Sequence, residues 1–160
     1  EGIYRLSGNA AAIQRHKAAW QQVSTGGAVP DVAAFDVNVV AGTLKLFLRE
    51  LQDPVLTCNM YPEWVLAGKM ESGPVRAGVI RGLIARLPAA HQDVLRVLMW
   101  HLHGLSKYAD HTKMDTSNLA IVFGPTLVRP RVESMETMVN TEPQNAVVAE
   151  MIANVGEYFE

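Results

Sequence analysis

Apolar residues recur every three or four positions along nearly the whole chain, the spacing of helices that bury one face. A first helix is predicted from about Asn9 to Val23, with Ile13, His16, Trp20 and Val23 on one side. Ser7 or Asn9 can cap its start, and Gly26-Gly27 is a stop signal. Asp36 suits the N-cap of a second helix carrying Val39, Val40, Leu44, Phe47, Leu48 and Leu51, which Pro54 ends. Pro62 and Pro74 each fit the first turn of a further helix, where a missing N–H costs nothing. Pro88 opens a longer one with Val94, Leu95, Leu98, Leu102 and Leu105 inward. Asp115 caps a short apolar helix expected to halt at Gly124-Pro125. Val128 to Pro143 reads as a polar loop, and Val147, Val148, Met151, Ile152, Val155 and Phe159 stripe a last helix.

No sustained two-residue alternation, hairpin dipeptide or repeat competes with this pattern. The class is therefore all-α, a bundle of about seven helices. Its predicted core includes Leu44, Phe47, Leu48, Leu83, Leu95, Leu98, Leu119 and Phe123.

Composition narrows the picture. The 160 residues suit one domain, and 49% hydrophobic with 19% charged residues is ordinary for a chain that folds. A net charge of −2 gives no ground for wholesale binding to nucleic acid or membrane, so a charged partner would be read by a few residues. Cys58 is the only cysteine, which excludes an intrachain disulfide and points to a reducing, cytoplasmic setting. Its plain role is that of a small buried hydrophobe. No apolar run approaches the length of a membrane span, so direct membrane insertion is not expected.

Self-contained chemistry is missing. No G-x-x-x-x-G-K-[ST] stretch offers a phosphate cradle, and no G-x-S-x-G elbow presents a nucleophile. His101 and His103 lie two apart on a predicted helix and face different ways, so they do not form a metal pair; His16, His91 and His111 are scattered. What remains is a surface that acts on a partner.

Three places could form such a surface. On the second helix Asn38, Gly42, Lys45 and Arg49 share the face opposite the apolar stripe. They make either a solvated face on which Arg49 pairs with Asp53, or a small cationic patch for an anionic group. Asn118, one turn into the helix after Asp115, is either a capping residue or a contact. Arg5 lies in a short loop bracketed by Gly2 and Gly8, where it is either an ordinary surface charge or one projected at a fixed place. Spacing leaves these alternatives open.

Three stretches in order carry a resemblance. Glu1 to Gly8 (EGIYRLSG), Asp36 to Leu51 (DVNVVAGTLKLFLREL) and Lys113 to Leu127 (KMDTSNLAIVFGPTL) resemble the conserved blocks of RhoGAP domains, and Leu87-Pro88 with His91 and Leu95 also fits. The similarity runs from residue 1 to about residue 130. The Asp-Val-Asn form and the Gly-Pro-Thr-Leu ending look most like the chimaerin and breakpoint-cluster-region group. Gln52 stands where the family usually has proline, Thr112 where it has asparagine, and Asn38 where many members have histidine. Family members carry helical sequence before the first block, so the resemblance implies a single domain over residues 1–160 that lacks an N-terminal helical segment.

The resemblance implies a GTPase activator that docks on GTP-bound Rho, Rac or Cdc42-type small GTPases. It implies Arg5 as an arginine finger, Arg49 as the brace of the finger loop, Lys45 at the junction of finger and switch, and Asn118 as a contact to the partner. The domain would need no cofactor, since GTP and magnesium belong to the partner, and it would be no enzyme by itself. Membrane recruitment would come from other domains of a longer protein. A catalytically silent GTPase-binding or scaffold module is the alternative on the same fold.

Overall fold

The computed structural model describes residues 1–159, and every regular element among them is helical. In chain order these are α1 (Ala10–Val23), a 3-10 turn (Val32–Ala34), α2 (Val37–Glu50), α3 (Tyr61–Lys69), α4 (Pro74–Arg86) and α5 (Ala89–Ser106). There follow α6 (Ala109–Thr112), α7 (Thr116–Leu127), α8 (Met135–Val139), α9 (Thr141–Ala153) and α10 (Val155–Tyr158). Three of the longer helices start on side-chain caps: Asn9 accepts from the Ala12 N–H, Asp36 from Asn38 and Asp115 from Asn118. Each cap satisfies a backbone donor that the first helical turn leaves free.

The core lies where α3, α5, α7 and α9 meet. Trp64, Leu95, Met99, Leu102, Leu119, Phe123, Val147, Val148, Met151 and Ile152 are sealed from solvent there. The Trp64 indole N–H donates to the Leu56 carbonyl at 2.8 Å, so the one polar atom of this ring costs nothing to bury. His103 Nδ1–H donates to the Ile152 carbonyl at 2.8 Å and joins α5 to α9. His101 faces another way, as its spacing required.

α1 packs on α2 through a buried polar chain. Thr43 gives its hydroxyl hydrogen to the Val39 carbonyl at 2.8 Å, so its oxygen can only accept from His16 Nδ1–H at 2.9 Å. His16 Nε2 then accepts from the Trp20 indole at 3.1 Å. Every donor in the chain finds an acceptor, which removes most of the cost of burying an imidazole.

Several expectations differ from the structure. Phe47 is 56% exposed instead of core, because the neighbours of α2 cover two opposite sides, Val39 with Thr43 and Ala41 with Leu48, and leave Phe47 between them on the open cleft beside α1. The helix after Asp115 runs through Pro125 to Leu127. The segment Val128 to Pro143 is not one loop: α8 lies inside it, closed by a reciprocal capping box between Ser134 and Thr137, and α9 begins at Thr141 with Pro143 in its first turn. Cys58 is only half-buried, its N–H donating to Asp53 Oδ1, and burial together with Asp53 pushes its thiol up. The count exceeds seven because α6, α8 and α10 span only four or five residues each, too few to show a period in sequence.

Candidate functional site

The loop before α1 is a tight turn pinned on three sides. Gly2 and Tyr4 both take left-handed backbone, each with φ 68°, and the N–H groups of Arg5 and Leu6 both donate to the Gly2 carbonyl at 3.0 and 2.8 Å. Left-handed geometry is free for Gly2 but costs a residue with a Cβ about 1–2 kcal/mol. Burial offsets that cost at Tyr4, which is only 4% exposed, since sealing a large side chain contributes about 1.5–3 kcal/mol. Its ring sits edge-on between Phe123 of α7 and His101 of α5, with centroids 4.9 and 5.8 Å away. Its hydroxyl meets His101 Nε2 at 2.7 Å, and desolvation pushes the phenol up to about 12.

Two backbone ties complete the loop. The Gly2 N–H donates to the Thr112 carbonyl at 2.6 Å, and the Lys45 ammonium donates to the Tyr4 carbonyl. At the far end Gly8 lies so close to α2 that a Cβ there would stand 2.6 Å from the Asn38 carbonyl oxygen. With its neighbour fixed this way, Arg5 is left exposed at the tip. Among the described residues its guanidinium makes no hydrogen bond or ion pair. The guanidinium lies back toward Gly2, where a Cβ would be 3.5 Å from Nη2 and 2.9 Å from Leu6 Cγ.

The structure brings Lys45, and not Arg49, onto the loop. Lys45 is the residue of α2 that ties down the Arg5 loop, through the Tyr4 carbonyl. Burial, and secondarily the charge of Arg49, hold its ammonium below the usual lysine range. Arg49, expected as the brace, is exposed one turn further on, and among the described residues its side chain forms no ion pair, with Asp53 or otherwise. The reason is reach: only Lys45 lies close enough to the carbonyl that the Tyr4 turn presents.

Asn118 acts first within its own turn. Its backbone N–H completes the Asp115 cap, and its Nδ2 donates to the carbonyl of Lys113, which holds φ 57°. Thr112, just before, is the residue whose carbonyl holds Gly2, so the Asn118 turn and the Arg5 loop are joined through two adjacent residues. One turn beyond Asn118, Ile121 is 57% exposed, a large apolar side chain with no cover.

Tyr4, His101 and Thr112 were missed as site residues. Only an apolar residue between two glycines hinted at Tyr4; Thr112 stood out only as a departure from the family's asparagine, and nothing local marked His101. A cleft of about 750 Å³ between α1 and α2, lined by Trp20, Leu44 and Phe47, contains none of Arg5, Lys45, Arg49 or Asn118. Among the described residues no group of three or more His, Cys, Asp or Glu could hold a metal ion, and no helix is long and apolar enough to cross a membrane.

Comparison with known proteins decides the family. Residues 1–132 match the model of the RhoGAP domain. This chain belongs to the RhoGAP domain family. As such a domain it is 40% identical over 147 residues to the GTPase-activating protein pac-1 of Caenorhabditis elegans, a match covering 86% of this chain and 9% of that protein. It is 35% identical to human Rho GTPase-activating protein 27 over 161 residues, covering 99% of this chain and 18% of that protein. The chain thus spans less than a fifth of the length of these relatives. RhoGAP-type solved structures superpose closely. The BH domain from GRAF, the GTPase regulator associated with focal adhesion kinase, gives a TM-score of 0.90 at 27% identity over 99% of this chain and 84% of that one. Human Rho GTPase activating protein 15 gives 0.88 at 32% identity, covering 100% and 75%.

Proposed function

We propose that this domain docks on a GTP-loaded Rho-family small GTPase and accelerates hydrolysis by placing Arg5 beside the β- and γ-phosphates. The observation that carries the reading is the contrast between Arg5 and its neighbour. Tyr4 is sealed in the core and tied at carbonyl and hydroxyl, while Arg5 is exposed and without a partner among the described residues. A charge serving only the fold has no need of so costly a mount.

The chemistry suits a guanidinium. In phosphoryl transfer negative charge grows on oxygens between the β- and γ-phosphorus, and a planar fork of donors stabilises it without accepting a proton. A loop pinned in advance spends little conformational entropy when it docks. The partner brings nucleotide, magnesium and the residue that orients water, so the domain supplies charge and no cofactor. Arg49, Asn118 and Ile121 form the docking face, with Lys45 behind it holding the loop. The names of the relatives, Rho GTPase-activating proteins among them, support this partner class. A cytoplasmic domain, brought to membranes by other parts of a longer protein, accords with the single cysteine.

Single-turnover GTP hydrolysis by Rho, Rac and Cdc42-type proteins, with and without the domain, tests the proposal. Acceleration of at least one of them, lost in Arg5→Ala, is the expected outcome. Binding of the GTP form without acceleration would identify a silent scaffold instead.

A further inference from the structure

The four most exposed large apolar side chains among the described residues fall within one short stretch. Val132, Met135, Met138 and Val139 are 75%, 83%, 77% and 79% exposed. Met135, Met138 and Val139 stand three and four positions apart on α8, so they share one face of that turn. Single apolar residues on a surface are ordinary, whereas a cluster of them marks a contact.

The face is mounted rather than frayed. The Ser134–Thr137 capping box closes the start of α8, and the Thr141 hydroxyl donates to the Met138 carbonyl at 2.9 Å. The buried Asn140 gives its N–H to the Glu136 carbonyl at 3.1 Å, which anchors the turn where α9 begins. These ties hold the methionines outward.

The patch also continues the docking face. On α7 the exposed residues Ser117, Ile121 and Pro125 follow one another at single turns, a row of about 12 Å leading away from Arg5. Pro125 and Met138 line the same cavity, of about 320 Å³. Between them Arg129 donates to the Leu51 carbonyl and, at 3.4 Å, to that of Arg49, which ties the segment before α8 to the end of α2. A stable interface covers about 800 Å² on each partner, from roughly 20–30 residues, and Arg5, Arg49, Asn118 and Ile121 alone fall well short of that.

We infer that Val132, Met135, Met138 and Val139 form a second contact zone for the GTP-loaded GTPase, an apolar one that strengthens docking and leaves the chemistry to Arg5. The inference rests on the reading of the domain as a GTPase activator. Methionine suits the task, since its flexible, polarizable side chain fits an apolar surface without one fixed shape. Arg131, Glu133 and Glu136 surround the patch with both signs of charge, so burial of apolar area carries the contact. Its contribution should therefore change little with salt, unlike that of Arg49.

The test titrates Rho, Rac and Cdc42-type proteins loaded with GTP against the domain and reads plateau rate and half-saturating concentration in single turnovers. Met135→Ser combined with Met138→Ser should raise the half-saturating concentration at least about fivefold on one or more of them, as loss of contact residues does. The increase should appear at low and high salt alike. The plateau should stay within about twofold and the melting temperature near the parent's, because both side chains lie in solvent in the free domain. Val97→Ser, similarly exposed but on α5, should change neither quantity. A rise below about fivefold on every GTPase, an equal rise in Val97→Ser, or a plateau lowered as far as the half-saturating concentration is raised overturns the inference. So does a parent dimer that the double variant splits in sedimentation, since the patch would then join two copies of this chain. Arg5→Ala, run alongside, separates the readings: if it keeps the parental plateau, the finger assignment has failed, while the contact zone is still judged by the half-saturating concentration. A parent that binds none of the GTP-loaded proteins overturns both.

Discussion

Replacing Lys45 by methionine separates two roles that sequence comparison alone would merge. The substitution keeps most of the aliphatic stem and removes the ammonium that donates to the Tyr4 carbonyl. A hydrogen bond to a charged group contributes about 1.5–3 kcal/mol when shielded. Lys45 is only half-buried and its charge is already disfavoured by burial and by Arg49, so the lower end applies, about 1–2 kcal/mol. In a domain of this size each kcal/mol moves Tm by roughly 2–4 °C, which gives a fall of about 2–8 °C. The same free energy, spent on releasing the loop, lowers the ratio of preset to released Arg5 loop by about 5- to 30-fold. Single-turnover hydrolysis at rising domain concentration should therefore show a lower plateau, with the half-saturating concentration within about threefold of the parent. A residue that merely touched the GTPase would do the reverse. If Lys45→Met melts like the parent, keeps its plateau and shifts only the half-saturating concentration, the loop tie has no functional weight.

Arg5→Ala should lower the activated rate by about 10³-fold or more yet bind the GTP-loaded partner within about tenfold, because a finger acts mainly on the transition state; plateau rates and equilibrium titration measure the two separately. Arg5→Lys should rescue poorly, since an ammonium lacks the planar fork. Phe123→Ala should cost about 3–5 kcal/mol in denaturant unfolding, whereas Phe47→Ala, at a site 56% exposed, should cost less than about 1 kcal/mol. Arg76 Nε meets Glu150 at 2.7 Å with both side chains about nine-tenths buried, and Tyr158 donates to the same carboxylate. Arg76→Met should accordingly destabilise by about 3–5 kcal/mol, and Arg76→Met with Glu150→Leu by clearly less, because the single change strands a buried charge.

Chain-local signals determined the elements. The caps at Asn9, Asp36 and Asp115, the prolines at 62 and 74 and the three-to-four spacing of apolar residues act within one or two helical turns, so they are legible wherever they occur. The family motifs drew attention to Arg5 in the loop before α1, to Lys45 and Arg49 on α2, and to Asn118 on α7. Tertiary structure decided the rest. The apolar stripe of α2 is wider than its neighbours can cover, and only packing showed that Phe47 faces the open cleft beside α1. α8 is a single turn whose capping box needs a settled backbone on both sides, and Pro125 sits inside a helix that its packed neighbours hold together. The Arg5 loop is the plainest case. Tyr4 meets His101 across 97 residues and Lys45 across 41, and Gly2 hangs on the carbonyl of Thr112. A residue's reach in sequence ends at its own turn, whereas the strain at Tyr4 is carried by groups that only the folded chain brings within hydrogen-bonding distance.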